Sequence, residues 1–356
     1  MRWRPHISIV CAVHDPGYGG DLPRRASIFL RNICYHAKAA GVSTEVIFVE
    51  WNRRENAQRW RDLLRLPEQQ GNVCVRVIEV SSEHHDAIAP SNAPPFFQPI
   101  AKNVGLRRAR GRFLLSTDPD VLFTPQVFQA FAKKLRRRAF YRIDRYDVAE
   151  DVNECANVPE QLAFCRQRIA GIHTDYASTE FPKIVSLDQP GEIDEWLAPL
   201  RLAYRRTLAL PRFAHRHQER LTYPVDKFHT NASGCFILMH RDAWSAICGH
   251  PEFTTRGHSD SVTCWSAVSA GLRQVVLQPP CYMFHQPHAR GETSAWPQTD
   301  WRPWYLEFQK ACAKRRTLQI SGPSWGLAGS DFPTWRSANG QWTLENPAAV
   351  QRAAAA

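Results

Sequence analysis

The chain has 356 residues, of which 44% are hydrophobic and 22% are charged, and this composition is ordinary for one large soluble α/β domain or two smaller ones. The formal charge of +11 favours polyanionic partners such as nucleic acids, acidic membrane surfaces or phosphorylated substrates. No apolar run approaches about 18 residues, so no membrane span is predicted, and ten cysteines without a C-x-x-C pair argue against zinc-ribbon or dithiol redox chemistry.

The cysteines and the N-terminus predict a cytoplasmic protein. No signal-peptide pattern is present at the N-terminus, and several cysteines lie inside apolar runs, so we expect reduced thiols that are mostly in the core. The basic run at residues 133–138 follows an amphipathic helix start, where cations stabilise the end of a helix. The alternative is a patch that contacts anionic lipid, which would place the protein peripherally at the inner membrane face.

Three apolar runs near the N-terminus predict buried parallel strands, at residues 6–13, 45–49 and 73–80. Residues 22–40 have helical periodicity, and three glycines in residues 17–20 let the backbone approach a ligand closely. Because strands and helices alternate, a doubly wound sheet is predicted. Glu50, at the end of the second strand, is then placed to hydrogen-bond a nucleotide base or ribose. P-loop and G-x-G-x-x-G motifs are absent.

Two carboxylates follow the next predicted strand. Residues 100–110 predict a helix that carries Lys102, and the strand at residues 113–115 leads into Asp118 and Asp120. Carboxylates at the carboxyl end of such a strand suit Mg²⁺ or Mn²⁺ that also binds phosphate oxygens, and a nearby cation would offset the charge of a diphosphate. Asp and Pro are also common in turns, so the pattern alone leaves an ordinary turn as the alternative.

The strand and helix pattern resumes near the C-terminal half. A strand at residues 235–239 precedes helices at 241–248 and 261–270 and a strand at 275–277. Asp260 precedes a helix, where an acid is either a cap or a functional group. His285 and His288 form an H-x-x-H pattern that could supply one imidazole ligand, which shifts the metal preference towards Mn²⁺.

Taken in order, these blocks resemble the GT-A fold of nucleotide-sugar glycosyltransferases, particularly bacterial members similar to glycosyltransferase family 2. The likeness rests on the first strand and its glycine loop, on Glu50-Trp51-Asn52, on residues 101–111, on Asp118-Pro119-Asp120, and on residues 140–147, 229–244, 258–261 and 284–288. It covers residues 6–150 and 225–297, and it implies a Rossmann-like, mostly parallel α/β sheet flanked by helices.

The same resemblance implies a division of the chain into four parts. Residues 1–147 would be the nucleotide-sugar-binding half and residues 226–297 the acceptor-binding, catalytic half. Residues 148–225 show no clear sheet pattern and would be a helical insertion, either a lid over the acceptor or a solvated decoration. Residues 298–356 would form an aromatic-rich extension, in which we expect the tryptophans other than Trp296 to be structural.

Individual roles also follow from the resemblance. The implied nucleotide-sugar contacts are His14, Asp15, Asp21, Glu50, Asn52, Lys102, Asn103 and Asp118. The implied acceptor contacts are Asn231, Gly234, His258 and Trp296, with Asp260 as the catalytic base. Mn²⁺ or Mg²⁺ would bind to Asp118, Asp120 and His285. The chain departs from the family pattern at Cys235 and Pro287, where relatives often have acidic residues.

The implied function is metal-dependent transfer of a sugar, from a UDP-sugar by preference, to a hydroxyl of a glycan, a lipid-linked molecule or a small molecule. Asp260 as base would make the reaction inverting. A retaining reaction on the same fold is the first alternative. A nucleotidyltransferase would need basic residues in the 14–21 loop, which has no Lys or Arg. A non-catalytic protein that binds polyanions or glycans is the third alternative, although no RNA-binding module is recognisable and nucleic acid is not expected.

Overall fold

The computed structural model describes residues 4–14, 17–91, 93–208, 228–289, 297–338 and 340–346. The first half contains β1 (Ile7–Val13), α1 (Leu22–Ala40), β2 (Thr44–Arg53), α2 (Trp60–Leu63), β3 (Val73–Ser81), α3 (Ser82–Asp86), α4 (Gln98–Arg108), β4 (Phe113–Thr117), β5 (Val121–Phe123), α5 (Pro125–Lys133), β6 (Ala139–Ile143) and β7 (Arg145–Val148). The second half contains α6 (Val158–Arg166), β8 (Ile169–His173), β9 (Ser178–Val185), α7 (Pro190–Leu208), β10 (Phe236–His240), α8 (Arg241–Ile247), α9 (Ser259–Ser269), β11 (Arg273–Leu277), β12 (Met283–His285), α10 (Arg302–Ala313), β13 (Thr334–Ala338) and β14 (Gln341–Leu344).

Nine strands form the larger sheet, in the order β11-β6-β10-β4-β1-β2-β3-β13-β14. Strands β4, β1, β2 and β3 are parallel, whereas β10 runs antiparallel to β4 and β6. Helices α1 and α5 pack on one face of this sheet, and α4 and α8 pack on the other. Because β1 is covered on both faces, all seven of its residues are buried, which explains its unbroken apolar sequence. The predicted α/β architecture is confirmed.

A second sheet of five strands has the order β5-β12-β7-β8-β9. Strands β8 and β9 lie within residues 148–225, so this segment is not purely helical as the sequence predicted. The strand signal was weak because β9 buries only Phe181 and Val185 among its eight residues. The small sheet joins β5, which follows Asp120, to β12, which ends at His285.

The C-terminal segment packs on the larger sheet. Strands β13 and β14 form an antiparallel hairpin that extends the sheet beyond β3. Trp301 and Trp325 are buried, and Trp335 and Trp342 pack against the hydrophobic core. This agrees with the predicted structural role of the tail tryptophans, while Trp296 lies outside the described residues.

The cysteines are free thiols, and the basic run at residues 133–138 lies mostly beyond the end of α5. All ten cysteines lie in the described segments; none is in a disulfide, and most are buried as predicted. Helix α5 ends at Lys133, so only the first cation of the 133–138 run lies in its last turn; Arg137, beyond the helix, pairs with Asp242. Among the helices that the structure describes, none has the length and apolar character needed to cross a membrane.

Candidate functional site

The site lies where the parallel strands of the larger sheet end. Asp118 and Asp120 occupy the turn between β4 of the larger sheet and β5 of the smaller one. Strand β10 is antiparallel to β4 and starts opposite Thr117, so the residues just before β10 reach the same edge. Ligands of open α/β sheets bind at this edge, outside the carboxyl ends of the strands.

Asp120, His285 and His288 form a cluster that fits a divalent cation. One ligand atom from each residue lies within 4.8 Å of the others. His285 Nε2 is 3.7 Å from Asp120 Oδ1, and His288 Nε2 is 3.5 Å from Asp120 Oδ2. Asp120 is only 4% exposed, and its Oδ1 has no hydrogen-bond partner among the described residues. A buried carboxylate oxygen without a partner is unfavourable unless a cation binds it, and one carboxylate with two imidazoles suits Mn²⁺ better than Mg²⁺.

The composition of this cluster differs from the predicted ligand set. Asp120 and His285 lie together as expected, but the third member is His288, because Asp118 is engaged elsewhere. The H-x-x-H spacing signalled both histidines, yet a sequence does not reveal how the chain turns after β12. Within the structure, that turn brings both rings to Asp120.

Asp118 is joined to Asp260 by a short chain of contacts. Lys102 Nζ donates to Asp118 Oδ1 at 2.7 Å and to the Gly234 carbonyl at 2.9 Å. The Gly234 N–H in turn donates to Asp260 Oδ2 at 2.6 Å, and the Ser261 N–H donates to Asp260 Oδ1 at 3.0 Å. One lysine and one glycine therefore separate the Asp-x-Asp motif from the predicted base.

Lys102 and Asp118 remain charged as a pair. Burial lowers the pKa of Lys102, which is 2% exposed, but the Asp118 charge and hydrogen bond outweigh burial and leave that pKa above its ordinary value. For Asp118, burial raises the pKa, but the Lys102 charge and hydrogen bond lower it by more than burial raises it. The net pKa of Asp118 therefore lies below its ordinary value. The ammonium thus balances a carboxylate at the predicted diphosphate position.

The glycine loop packs directly on the cluster of Asp120, His285 and His288. Arg25 of α1 donates from Nη1 to the Gly19 carbonyl at 3.0 Å and from Nη2 to the Tyr18 carbonyl at 2.6 Å, and its Nε is 3.9 Å from Asp120 Oδ2. Gly19 has φ +62, and a Cβ there would lie 2.8 Å from His288 Cβ. A side chain at Gly19 would therefore displace His288.

The loop at residues 229–235, which we name the acceptor-side loop because it contains the predicted acceptor contacts Asn231 and Gly234, is held in place by a residue that the sequence did not reveal. Arg142 of β6 is completely buried, and its guanidinium donates to the carbonyls of His229, Asn231 and Phe236. Asn231 Nδ2 donates to the Thr174 carbonyl at 2.7 Å, which ties the loop to the end of β8. The only sequence signal for this role was an Arg within an apolar strand.

Three other predicted residues have the following surroundings. His258 precedes α9 with φ +60, and its ring centroid is 6.5 Å from that of Trp301. Asp21 caps α1 by accepting from the Arg24 N–H at 3.0 Å. Asp15 lies outside the described residues.

His14 follows the end of β1, and Asn52 is the second-last residue of the neighbouring strand β2. His14 Nδ1 donates to the Trp51 carbonyl at 2.9 Å, and the ring stacks on Phe96 with centroids 5.7 Å apart. Asn52 has φ +55 and donates to the Pro95 carbonyl at 2.9 Å. Their contacts bring residues 95–96 to the strand ends.

Glu50 and Asn103, two more of the predicted nucleotide contacts, are also buried. Glu50 accepts from the Trp60 N–H at 3.1 Å. Asn103 is fully buried, accepts from the His250 N–H at 2.7 Å and donates to the His250 carbonyl and Glu252. The structure thus does not bring Asn103 to the cluster, because its amide holds the 250–252 segment instead.

No protein-family model matches the chain, and no curated protein matches it. Among solved structures, S. aureus TarS 1–349 in complex with UDP-GlcNAc is similar at 14% identity, over 91% of this chain and 70% of that chain, with a TM-score of 0.43. GalNAc-T7 with UDP, GalNAc and Mn²⁺ is similar at 12% identity, over 90% of this chain and 53% of that chain, with a TM-score of 0.42. Likeness of this degree assigns no function.

Proposed function

We propose that the protein is a metal-dependent glycosyltransferase that moves a sugar from a nucleotide diphosphate sugar to a hydroxyl acceptor. One observation carries this proposal: Asp120, His285 and His288 lie beside the Asp118–Lys102–Gly234–Asp260 chain at the ligand-binding edge of a parallel sheet. Lys102 and Gly234 thereby connect Asp118, two positions before Asp120, to Asp260. The resemblance of the sequence to GT-A enzymes favours a UDP-sugar as the donor.

The donor half would use the residues around the metal cluster. A divalent cation on Asp120, His285 and His288 would neutralise charge on the pyrophosphate of the leaving nucleotide. The glycine loop beside His288 allows close approach of backbone N–H groups to phosphate oxygens. His14, just after β1, and Asn52, at the end of the neighbouring β2, are the proposed contacts of the nucleoside.

Asp260 would act on the acceptor. Its two oxygens accept from the Gly234 and Ser261 N–H groups, which fixes the plane of the carboxylate and leaves further lone pairs available. Asp260 takes the proton of the acceptor hydroxyl while the hydroxyl oxygen bonds to the anomeric carbon. The bond between that carbon and the diphosphate oxygen breaks with its electron pair on the oxygen, so the configuration inverts.

A thermal-shift panel tests the donor class. Nucleoside diphosphates and nucleotide sugars would be added with and without Mn²⁺, and a ligand at 100 times its Kd stabilises by about 2.7 kcal/mol. We expect the shift to need Mn²⁺ and to disappear in Asp120→Asn. The exposed Asp151, which pairs with Arg24, provides the control Asp151→Asn, which should keep the shift. The proposal would be contradicted if the melting temperature rose equally with and without Mn²⁺, or if no nucleotide raised it.

A further inference from the structure

A carboxylate faces the other side of the His285 imidazole. Strand β7 runs parallel to β12, and the register places Asp147 opposite His285. Asp147 Oδ1 lies 3.1 Å from His285 Nδ1. Because Nδ1 faces Asp147, Nε2 is the nitrogen that faces Asp120, and in the tautomer with hydrogen on Nδ1 it carries a free lone pair.

Asp147 is itself fixed by two neighbours. Arg145 Nη2 donates to Asp147 Oδ2 at 3.1 Å, and Arg145 Nε lies 2.9 Å from Oδ1. His173 Nε2 lies 3.0 Å from Oδ2. With contacts to both of its oxygens, the carboxylate has little freedom to rotate.

His173 links this carboxylate to residues 148–225. It ends β8, and its Nδ1 lies 3.0 Å from Ser178 Oγ at the start of β9. The backbone carbonyl of the next residue, Thr174, accepts a hydrogen bond from the Asn231 side chain of the acceptor-side loop. The β8–β9 hairpin thus contacts both sides of the site.

We propose that Asp147 is a positioning residue, which selects the Nδ1–H tautomer of His285 and aims its Nε2 at the cation, and that the β8–β9 hairpin supports the metal centre through His173. This inference rests on the proposed metal site. A carboxylate that accepts the second N–H of a metal-bound imidazole fixes the ring and raises its basicity, and loss of such a partner typically weakens metal affinity by about 10- to 100-fold. It also gives the 148–225 segment a role beyond covering the acceptor.

Equilibrium Mn²⁺ binding, followed by electron paramagnetic resonance of the free ion, tests the inference without any turnover. We expect Asp147→Asn to bind Mn²⁺ about 10- to 100-fold more weakly than wild type. His173→Gln should weaken binding by a smaller factor, since it leaves Asp147 and Arg145 in place. Asp188→Asn removes an ion pair with Arg166 in the same segment and should change nothing.

Imidazole ¹⁵N spectra of the metal-free protein report the tautomer directly. The protein is labelled with ¹⁵N-histidine, and the signal that is missing in His285→Gln is assigned to His285. In wild type, this signal should show the hydrogen on Nδ1. Asp147→Asn should give a mixture of tautomers. A role of Asp147 in folding alone would not move this signal, and if Asp147→Asn fails to fold, the wild-type spectrum and His173→Gln still decide the matter.

The outcomes separate the inference from the proposed function. If wild type binds Mn²⁺, Asp120→Asn does not, and Asp147→Asn equals wild type, the positioning role is refuted while the metal site stands. A wild-type His285 with hydrogen on Nε2 refutes it as well. If wild type and Asp120→Asn are equally unable to bind Mn²⁺, the metal-dependent function fails, and the role of Asp147 fails with it.

Discussion

Glu50 should make the stability of this protein fall as pH rises through the weakly acidic range. Its side chain lies at the end of β2 and is only 5% exposed. One oxygen accepts from the Trp60 N–H, and Oε2 has no hydrogen-bond partner among the described residues. Burial raises the pKa of Glu50 from 4.5 to about 7, the Trp60 N–H opposes this, and the nearby Glu79 charge adds to it.

The sign and size of the effect follow from linkage. Between pH 4.5 and about 7 the folded state keeps the Glu50 proton that the unfolded chain has lost, so the free energy of unfolding decreases as pH rises. The full effect is about 3.4 kcal/mol at 1.36 kcal/mol per pH unit, of which about 2.5 kcal/mol falls between pH 5 and pH 8. Glu50→Gln removes this dependence, since an amide does not titrate. Any penalty for burying its N–H₂ is the same at both pH values.

Urea unfolding of wild type and Glu50→Gln at pH 5 and pH 8 measures the effect. The variant should gain about 2.5 kcal/mol relative to wild type between these conditions. Glu55→Gln, which changes an exposed glutamate in the loop after β2, should show no such gain. Equal pH dependence in wild type and Glu50→Gln would show that the Glu50 carboxylate is solvated or compensated, and the burial argument would be refuted.

Two further substitutions test the surroundings of Asp120, His285 and His288. Lys102→Met leaves Asp118 without its cation, so we expect a loss of about 3 kcal/mol in urea unfolding at pH 7; a double variant that also carries Asp118→Asn should recover part of the loss, and strict additivity would show that the pair does not interact. Gly19→Ala should weaken Mn²⁺ binding by displacing His288, whereas Gly41→Ala, with φ +66 and nothing within 4 Å, carries the same backbone strain and should leave Mn²⁺ binding unchanged. Equal Mn²⁺ affinity in both glycine variants would contradict the packing argument.

The larger sheet was predictable because its signals are local. The run at residues 6–13 became β1 (Ile7–Val13), since a strand covered on both faces needs an unbroken apolar sequence. Helix α1 covers the predicted residues 22–40 because local residues determine both of its ends. The Asp21 side chain caps the first turn, and Gly41 takes φ +66 after the last turn. Such features need no knowledge of distant contacts.

The smaller sheet and the place of His288 as the third member of the cluster were not predictable in the same way. Strands β5 and β12 have three residues each, too few to show a periodicity, and they pair across about 160 positions of sequence. Asp147 gains its role only through the register of β7 against β12. Lys102 was predicted to face a diphosphate, but its ammonium binds Asp118 and the Gly234 carbonyl, a choice that depends on tertiary packing.

Asp260 can be a base, or it can merely hold the Gly234 loop, and the two roles predict different products. Both of its present hydrogen bonds come from backbone N–H groups, so either role is compatible with its contacts. If it is the base, Asp260→Asn should lower transfer by about 10²- to 10⁴-fold while Mn²⁺-dependent donor binding in the thermal-shift assay persists. The wild-type product, analysed by NMR, should then have the opposite anomeric configuration to the donor. A retained configuration would exclude a single displacement at the anomeric carbon, and Asp260 would be left with the structural role alone.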